Sequence, residues 1–180
     1  ATTSAAGVNI ATGAAGSYVA ITAPGNLGGA NLPAITLSNA VAGAASVTMS
    51  VTLTPTSPTP TGGKVVITLV GSGITATSPS VTITAPSSAT GSASLAGLVL
   101  TVTLSTGTFN AGAAITFIVS GFTNPSAAQS ALTNVSAATT DAAGVNIATG
   151  AAGTYVAITA PGNLGANLPA ITLSNAVAGA

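Results

Sequence analysis

Enzyme chemistry needs side chains that exchange protons, attack electrophiles or hold metals, and this chain of 180 residues has almost none. Lys64 and Asp141 are its only charged side chains, and it contains no His and no Cys. Triads built on His, thiol nucleophiles and the usual zinc ligand sets are therefore excluded. A single carboxylate cannot form an acid/base pair or a calcium cage of side-chain ligands. The Gly-rich stretch Gly25–Asn31 (GNLGGAN) carries no Lys or Arg and has neither Walker nor dinucleotide spacing, so a turn is expected there, not a phosphate cradle. A Lys64–Asp141 isopeptide staple would need a further buried acid, and the chain offers none. Lys64 is read as an exposed or loosely paired side chain. No enzyme activity, cofactor or metal is expected.

What the residue types do permit is covalent decoration and surface recognition. Thr54, Thr56, Ser57, Thr59 and Thr61 stand among Pro55, Pro58 and Pro60 in a loop that favours extended, polyproline-like geometry, a context that suits O-linked sugar. Asn134-Val135-Ser136 is the only N-x-S/T sequon, because Asn124 is followed by Pro. The Thr-rich outward faces of the predicted strands have three readings: ordinary solvated β surface, O-glycosylated surface, or a flat Thr array for ice or crystalline polysaccharide. Tyr18 and Tyr155 occupy equivalent positions and are expected at the core edge.

The elements that must carry these residues are constrained by composition. Charged residues make up 1% of the chain, against about 25% in ordinary soluble domains. A surface of Thr, Ser, Asn, Gly and Ala at zero net charge favours association, so neighbouring copies or sugars are expected to cover it. One Lys cannot neutralise a phosphate track, which argues against nucleic-acid binding. Mean hydropathy is +0.74, yet no stretch of about 20 residues runs without Thr, Ser, Asn, Gly or Pro, so no membrane span is expected. No signal-peptide pattern stands at Ala1, which is read as mature protein or an internal fragment.

The strongest pattern is a duplication. Ala1–Gly28 recurs as Ala138–Gly165 with only Ser4/Asp141 and Ser17/Thr154 different; Gly29 has no counterpart, and Ala30–Ala44 recurs identically as Ala166–Ala180. The chain is a window on a tandem repeat. The expected organisation is residues 1–44 as tail strands of a preceding repeat and 45–180 as one complete repeat, with 138–180 duplicating 1–44.

Within this frame, Gly/Asn/Pro punctuation predicts short strands at Gly7–Thr12, Ser17–Ala23 and Ala34–Val41. Ser46–Thr54 alternates strictly, with Val47, Met49, Val51 and Leu53 on one face. Lys64–Val70 is apolar on both faces, as in a central strand. Ser80–Ala85 alternates again. Ser94–Ser105 turns Leu98, Leu100, Val102 and Leu104 inward. Ala114–Ser120 is another apolar run near Phe109, Phe117 and Phe122. Ser126–Thr140, rich in Ala and Ser, is expected to hold one helical turn or a long crossing loop. Seven to nine strands between Ala45 and Ala180 predict an all-β, antiparallel Ig-like sandwich.

One core and two copies of its closing strands leave one copy over. The first copy would expose apolar strands unless it inserts into or lies on another unit, either along one covalent array or as a donor strand to a neighbouring molecule. Either contact is head-to-tail and propagates. The assembly strands are expected to carry Tyr18, Val19, Ile21, Ile35 and Leu37 in the first copy, and Tyr155, Val156, Ile158, Ile171 and Leu173 in the second. The texture of GGKVVITLVGSG, SPSVTITAP and LTVTLSTGTFNAGAAITFIVSGFTNP resembles the Ig-like repeats of microbial and algal surface proteins. The end-strand logic is similar to that of donor-strand-exchange pili and environmental extracellular fibrils. Together these imply an extracellular or cell-surface filament subunit whose partners are other copies of itself and covalent glycans. The alternative is a surface adhesin or an ice- or glycan-binding array of the same fold.

Overall fold

A computed structural model of the chain describes residues 2–3, 9–11, 24–27 and 32–162. Its elements are all strands: β1 (Thr2–Thr3), β2 (Asn9–Ala11), β3 (Gly25–Asn26), β4 (Ala34–Leu37), β5 (Val47–Leu53), β6 (Lys64–Thr68), β7 (Thr75–Ala85), β8 (Thr90–Ala96), β9 (Val99–Thr106), β10 (Ile115–Thr123), β11 (Leu132–Thr140) and β12 (Asn146–Tyr155). Among the described residues there is no helix, and hence none long and apolar enough to cross a membrane.

β1 and β2 form a separate antiparallel pair, and the remaining strands form one sheet in the order β7-β10-β5-β4-β12-β11-β6-β9-β8, with β3 also on β12. Its two ends, β7 and β8, are consecutive in the chain and pack against each other. The sheet is thus wrapped nearly closed, like a barrel. Closure protects strand edges that a chain with two charges could not guard electrostatically.

Alternation sets which face turns inward. On β5, Val47, Met49, Val51 and Leu53 are all buried, as the spacing predicts. On β9, Leu100, Val102 and Leu104 are buried while Leu98, in the preceding turn, is half-buried. Val65, Ile67 and Leu69 fill the same interior from β6 and its end, with Phe109, Phe117, Phe122 and Tyr155 the largest side chains there.

Two segments depart from the sequence reading. Ser126–Thr140, expected as a helical turn or crossing loop, contains strand β11, which pairs β6 on one side and β12 on the other. Its inward residues are Val135, Ala137 and Thr139, buried but too small to show as an apolar run. Thr90–Ala96 (TGSASLA) forms β8, which the sequence hides because β-branched apolar residues are missing. Gly97, with φ +58°, makes the tight turn that folds β8 onto β9.

Candidate assembly interface

The duplicated segment is where candidate assembly residues concentrate, and the sheet uses both copies of it. β3 and β4 come from the first copy and β12 from the second, and they lie side by side in parallel: Gly25 opposite Ala148, Asn26 opposite Thr149, Ala34 opposite Thr154 and Ile35 opposite Tyr155. On its other edge β4 runs antiparallel to β5, with Ile35 opposite Val51 and Leu37 opposite Met49. Residues 34–37 thus pair within their own chain, where pairing with another copy was expected. The reason is tethering: β4 leads directly into β5 through the loop Ser38–Ser46, so the nearest partner is always present.

Side-chain packing follows from alternation. Ile35 is 2% exposed and Leu37 packs half-buried against the core, while Ala34 and Thr36 face outward. Leu27, one residue past β3, is fully buried, and its N–H donates to Thr149 O at 2.8 Å. This approach depends on two glycines of β12. A Cβ on Gly150 would stand 2.5 Å from Leu27 O, and one on Gly153 would stand 2.6 Å from Pro33 Cγ. Neither position tolerates a side chain while Leu27 and Pro33 lie where they do.

Past β4, the loop is held by Asn124. Its Nδ2 donates to Asn39 O at 2.9 Å and to Val41 O at 2.8 Å, and its own N–H donates to Ala44 O at 2.9 Å. Gly43 N–H donates to Pro125 O at 2.8 Å. The second copy closes the same loop from the opposite side: Thr159 N–H donates to Ala40 O at 2.7 Å and Ala42 N–H to Thr159 O at 2.8 Å. Sequence reading passed over Asn124, Gly150 and Gly153. An Asn before Pro at the end of an apolar strand, and glycines interrupting an otherwise β-like run, were the available signals.

Of the other assembly residues, Tyr155 is 1% exposed and Ile158 2%, while Val156 is half-buried. Gln129 and Ile158 exchange a pair of backbone hydrogen bonds, both 2.9 Å. The Tyr155 hydroxyl lies inside the core rather than at its edge and finds no partner among the described residues. Burial pushes its pKa up to about 12. Tyr18, Val19, Ile21, Ile171 and Leu173 lie outside the described residues.

The first copy nevertheless shows one further feature. In the β1–β2 pair, Thr2 stands opposite Ala11 and Thr3 opposite Asn9. Their counterparts in the second copy, Thr139 with Ala148 and Thr140 with Asn146, pair in the same register between β11 and β12. The turn of the second-copy hairpin is closed by Asp141, whose Oδ1 accepts the Val145 N–H at 2.8 Å. Ser4, its counterpart, is also a turn-forming residue.

The glycosylation candidates divide by exposure. Thr56, Thr61 and Asn134 are exposed, and Thr54 and Ser57 are half-buried. Thr61 already donates its hydroxyl to Gly107 O at 2.6 Å. Thr59 is fully buried, bonded through its backbone to Phe109, so a sugar on it does not fit this fold. The proline spacing brought it into the group, but the backbone pairing turns its side chain inward. Beside this loop an open cleft of about 560 Å³ is lined by Pro24, Pro58, Pro60 and Asn146 among others, with no titratable group. Elsewhere outward hydroxyls pair across strands: Ser80 with Ser120 at 2.7 Å, Thr90 with Thr106 at 2.8 Å and Thr52 with Thr116 at 3.2 Å.

No protein-family model, curated protein or solved structure matches this chain.

Proposed function

We propose that the chain is a structural subunit of an extracellular filament or pilus-like fibril, built from Ig-like β-sandwich units joined head-to-tail by strand complementation. The observation that carries this reading is the parallel contact of β3 and β4 with β12, in which one domain is completed by strands from two different copies of the same segment. A segment present twice, whose two copies supply neighbouring strands of one sheet, suits a polymer, where every unit must offer the same end it accepts. The uncharged surface supports the reading too, since little repulsion opposes lateral or axial contact. Covalent sugar on the exposed Thr56, Thr61 and Asn134 would keep such a surface soluble.

Electron microscopy of the purified chain at micromolar to millimolar concentration tests this directly. Filaments of uniform width are expected; a protein that stays monomeric across that range refutes the filament reading. Intact mass of native material is expected above the bare 16.5 kDa, and a match to that value refutes the glycan part. The cross-strand hydroxyl pairs favour a second reading, an ice- or glycan-binding array. That reading predicts that an isolated unit binds ice or an insoluble polysaccharide.

A further inference from the structure

We infer that the duplicated segment is a two-headed joint: its first half closes one domain and its second half opens the next. The inference rests on the filament reading for its biological sense, but its geometry comes from three separate observations. First, among the described residues, the domain takes β3 and β4 from the second half of copy one and β12 from the first half of copy two. Second, β1 and β2, in the first half of copy one, pair with each other apart from the main sheet and in the β11–β12 register, as the end of a preceding domain would. Third, Ala166–Ala180 is identical to Ala30–Ala44, so it carries the same Ile and Leu for a β4 position in a following domain.

The joint is short. β12 and its extension hold this domain through Ile158 and Thr159, and the counterparts of Gly25 and Asn26 are Gly162 and Asn163. Only Ala160 and Pro161 lie between. Two residues, one of them a proline, leave little freedom between successive domains.

The parallel arrangement fixes the direction of growth. The incoming chain stands beside Ala148 at Gly25, beside Thr154 at Ala34 and is bridged to Thr159 at Val41. Entry and exit therefore sit at opposite ends of β12. At about 3.3 Å per residue the path from Ala148 to Thr159 is roughly 35 Å long. With the joint added, each domain advances the chain by roughly 35–45 Å. The partner this interface fits is a second copy of the same domain, end to end, with Ala166–Ala180 in its β4 position.

The test uses the full chain and versions in which Ala45–Ala180 is appended once or twice after Ala180, continuing the repeat. In small-angle X-ray scattering, the maximum dimension is expected to grow by roughly 35–45 Å per appended unit. Growth of less than half that, as side-by-side domains would give, overturns the inference. So does the coil-like profile of a loose linker. A second measurement does not depend on the longer chains. In the full chain, Thr36→Cys with Ser50→Cys, which are cross-strand neighbours, is expected to close an intrachain disulfide, and Thr172→Cys with Ser50→Cys is not. If Thr172→Cys closes onto its own chain as readily, the second copy serves its own domain and the joint is wrong. Microscopy of the same samples separates this from the filament reading. Fibres without the expected growth sink only the joint, and the expected growth without fibres sinks only the filament.

Discussion

Replacing Gly150 by Ala probes the contact on which the domain's completion depends. In an ordinary strand, Gly→Ala stabilises by about 0.5–1 kcal/mol through lost freedom of the unfolded chain. Here the new Cβ would lie 2.5 Å from Leu27 O and 2.7 Å from Leu27 Cβ, closer than such atoms approach. The obstacle is backbone, so no rotamer change relieves it. Leu27 must withdraw from β12, which breaks the 2.8 Å bond from Leu27 N–H to Thr149 O, at about 0.5–1.5 kcal/mol. It also uncovers a fully buried leucine, at about 1.5–3 kcal/mol. The net expectation is a loss of roughly 1–4 kcal/mol. Urea unfolding followed by far-ultraviolet circular dichroism measures it, with unchanged m-value as the check that the same domain unfolds. Gly13→Ala is the control. It makes the same change in the same GAAG sequence, but in the half of copy one that the joint assigns to a preceding domain, and a shift within about 0.5 kcal/mol is expected. A neutral or stabilising Gly150→Ala, or equal losses at both sites, would refute the assignment of strands.

Asn124→Ala is expected to cost about 1–3 kcal/mol, since it removes two hydrogen bonds to Asn39 O and Val41 O, and to speed amide exchange at Ala42 and Gly43. Asn124→Asp should be worse at neutral pH, because a carboxylate would face two carbonyl oxygens, and it should recover as acid protonates it. Tyr155→Phe removes a buried hydroxyl without a partner and should leave stability unchanged or higher by up to about 1–3 kcal/mol. The folded-state pKa of Tyr155 is raised from 10.0 to about 12, so the neutral form is favoured by folding. Stability is then intact below pH 10 and falls as pH climbs toward 12, and Tyr155→Phe should lessen that loss in a pH series of urea unfolding. The proposed filaments, built from a chain with no Cys and two charges, should persist in EDTA, in dithiothreitol and at about 1 M salt, where charges are screened beyond about 3 Å. Dissociation in any of the three, followed by light scattering, would locate cohesion elsewhere.

Strand character was legible where apolar and polar residues alternate, because a period of two needs only local sequence. Val47 to Leu53 and Leu100 to Leu104 turn inward as their spacing requires. Composition by itself ruled out His- and Cys-based chemistry, since no arrangement in space can supply side chains that are missing. The duplication, too, is a property of sequence alone. What the sequence could not decide was partnership. The two copies are nearly identical, so no local preference says which one completes the sheet. Chain connectivity settled it for β4, tethered to β5 by the loop Ser38–Ser46, and the bare positions 150 and 153 let Leu27 and Pro33 approach β12. β8 and β11 were hidden for a related reason: small Ser, Ala and Thr residues carry weak strand preference, and only pairing, of β11 with β6 and β12 and of β8 with β9, makes them strands. Pairing with Phe109 turned Thr59 inward, against the reading of its proline-rich surroundings. Local pattern determined which segments extend, and pairing across the sheet determined which faces and which copies meet.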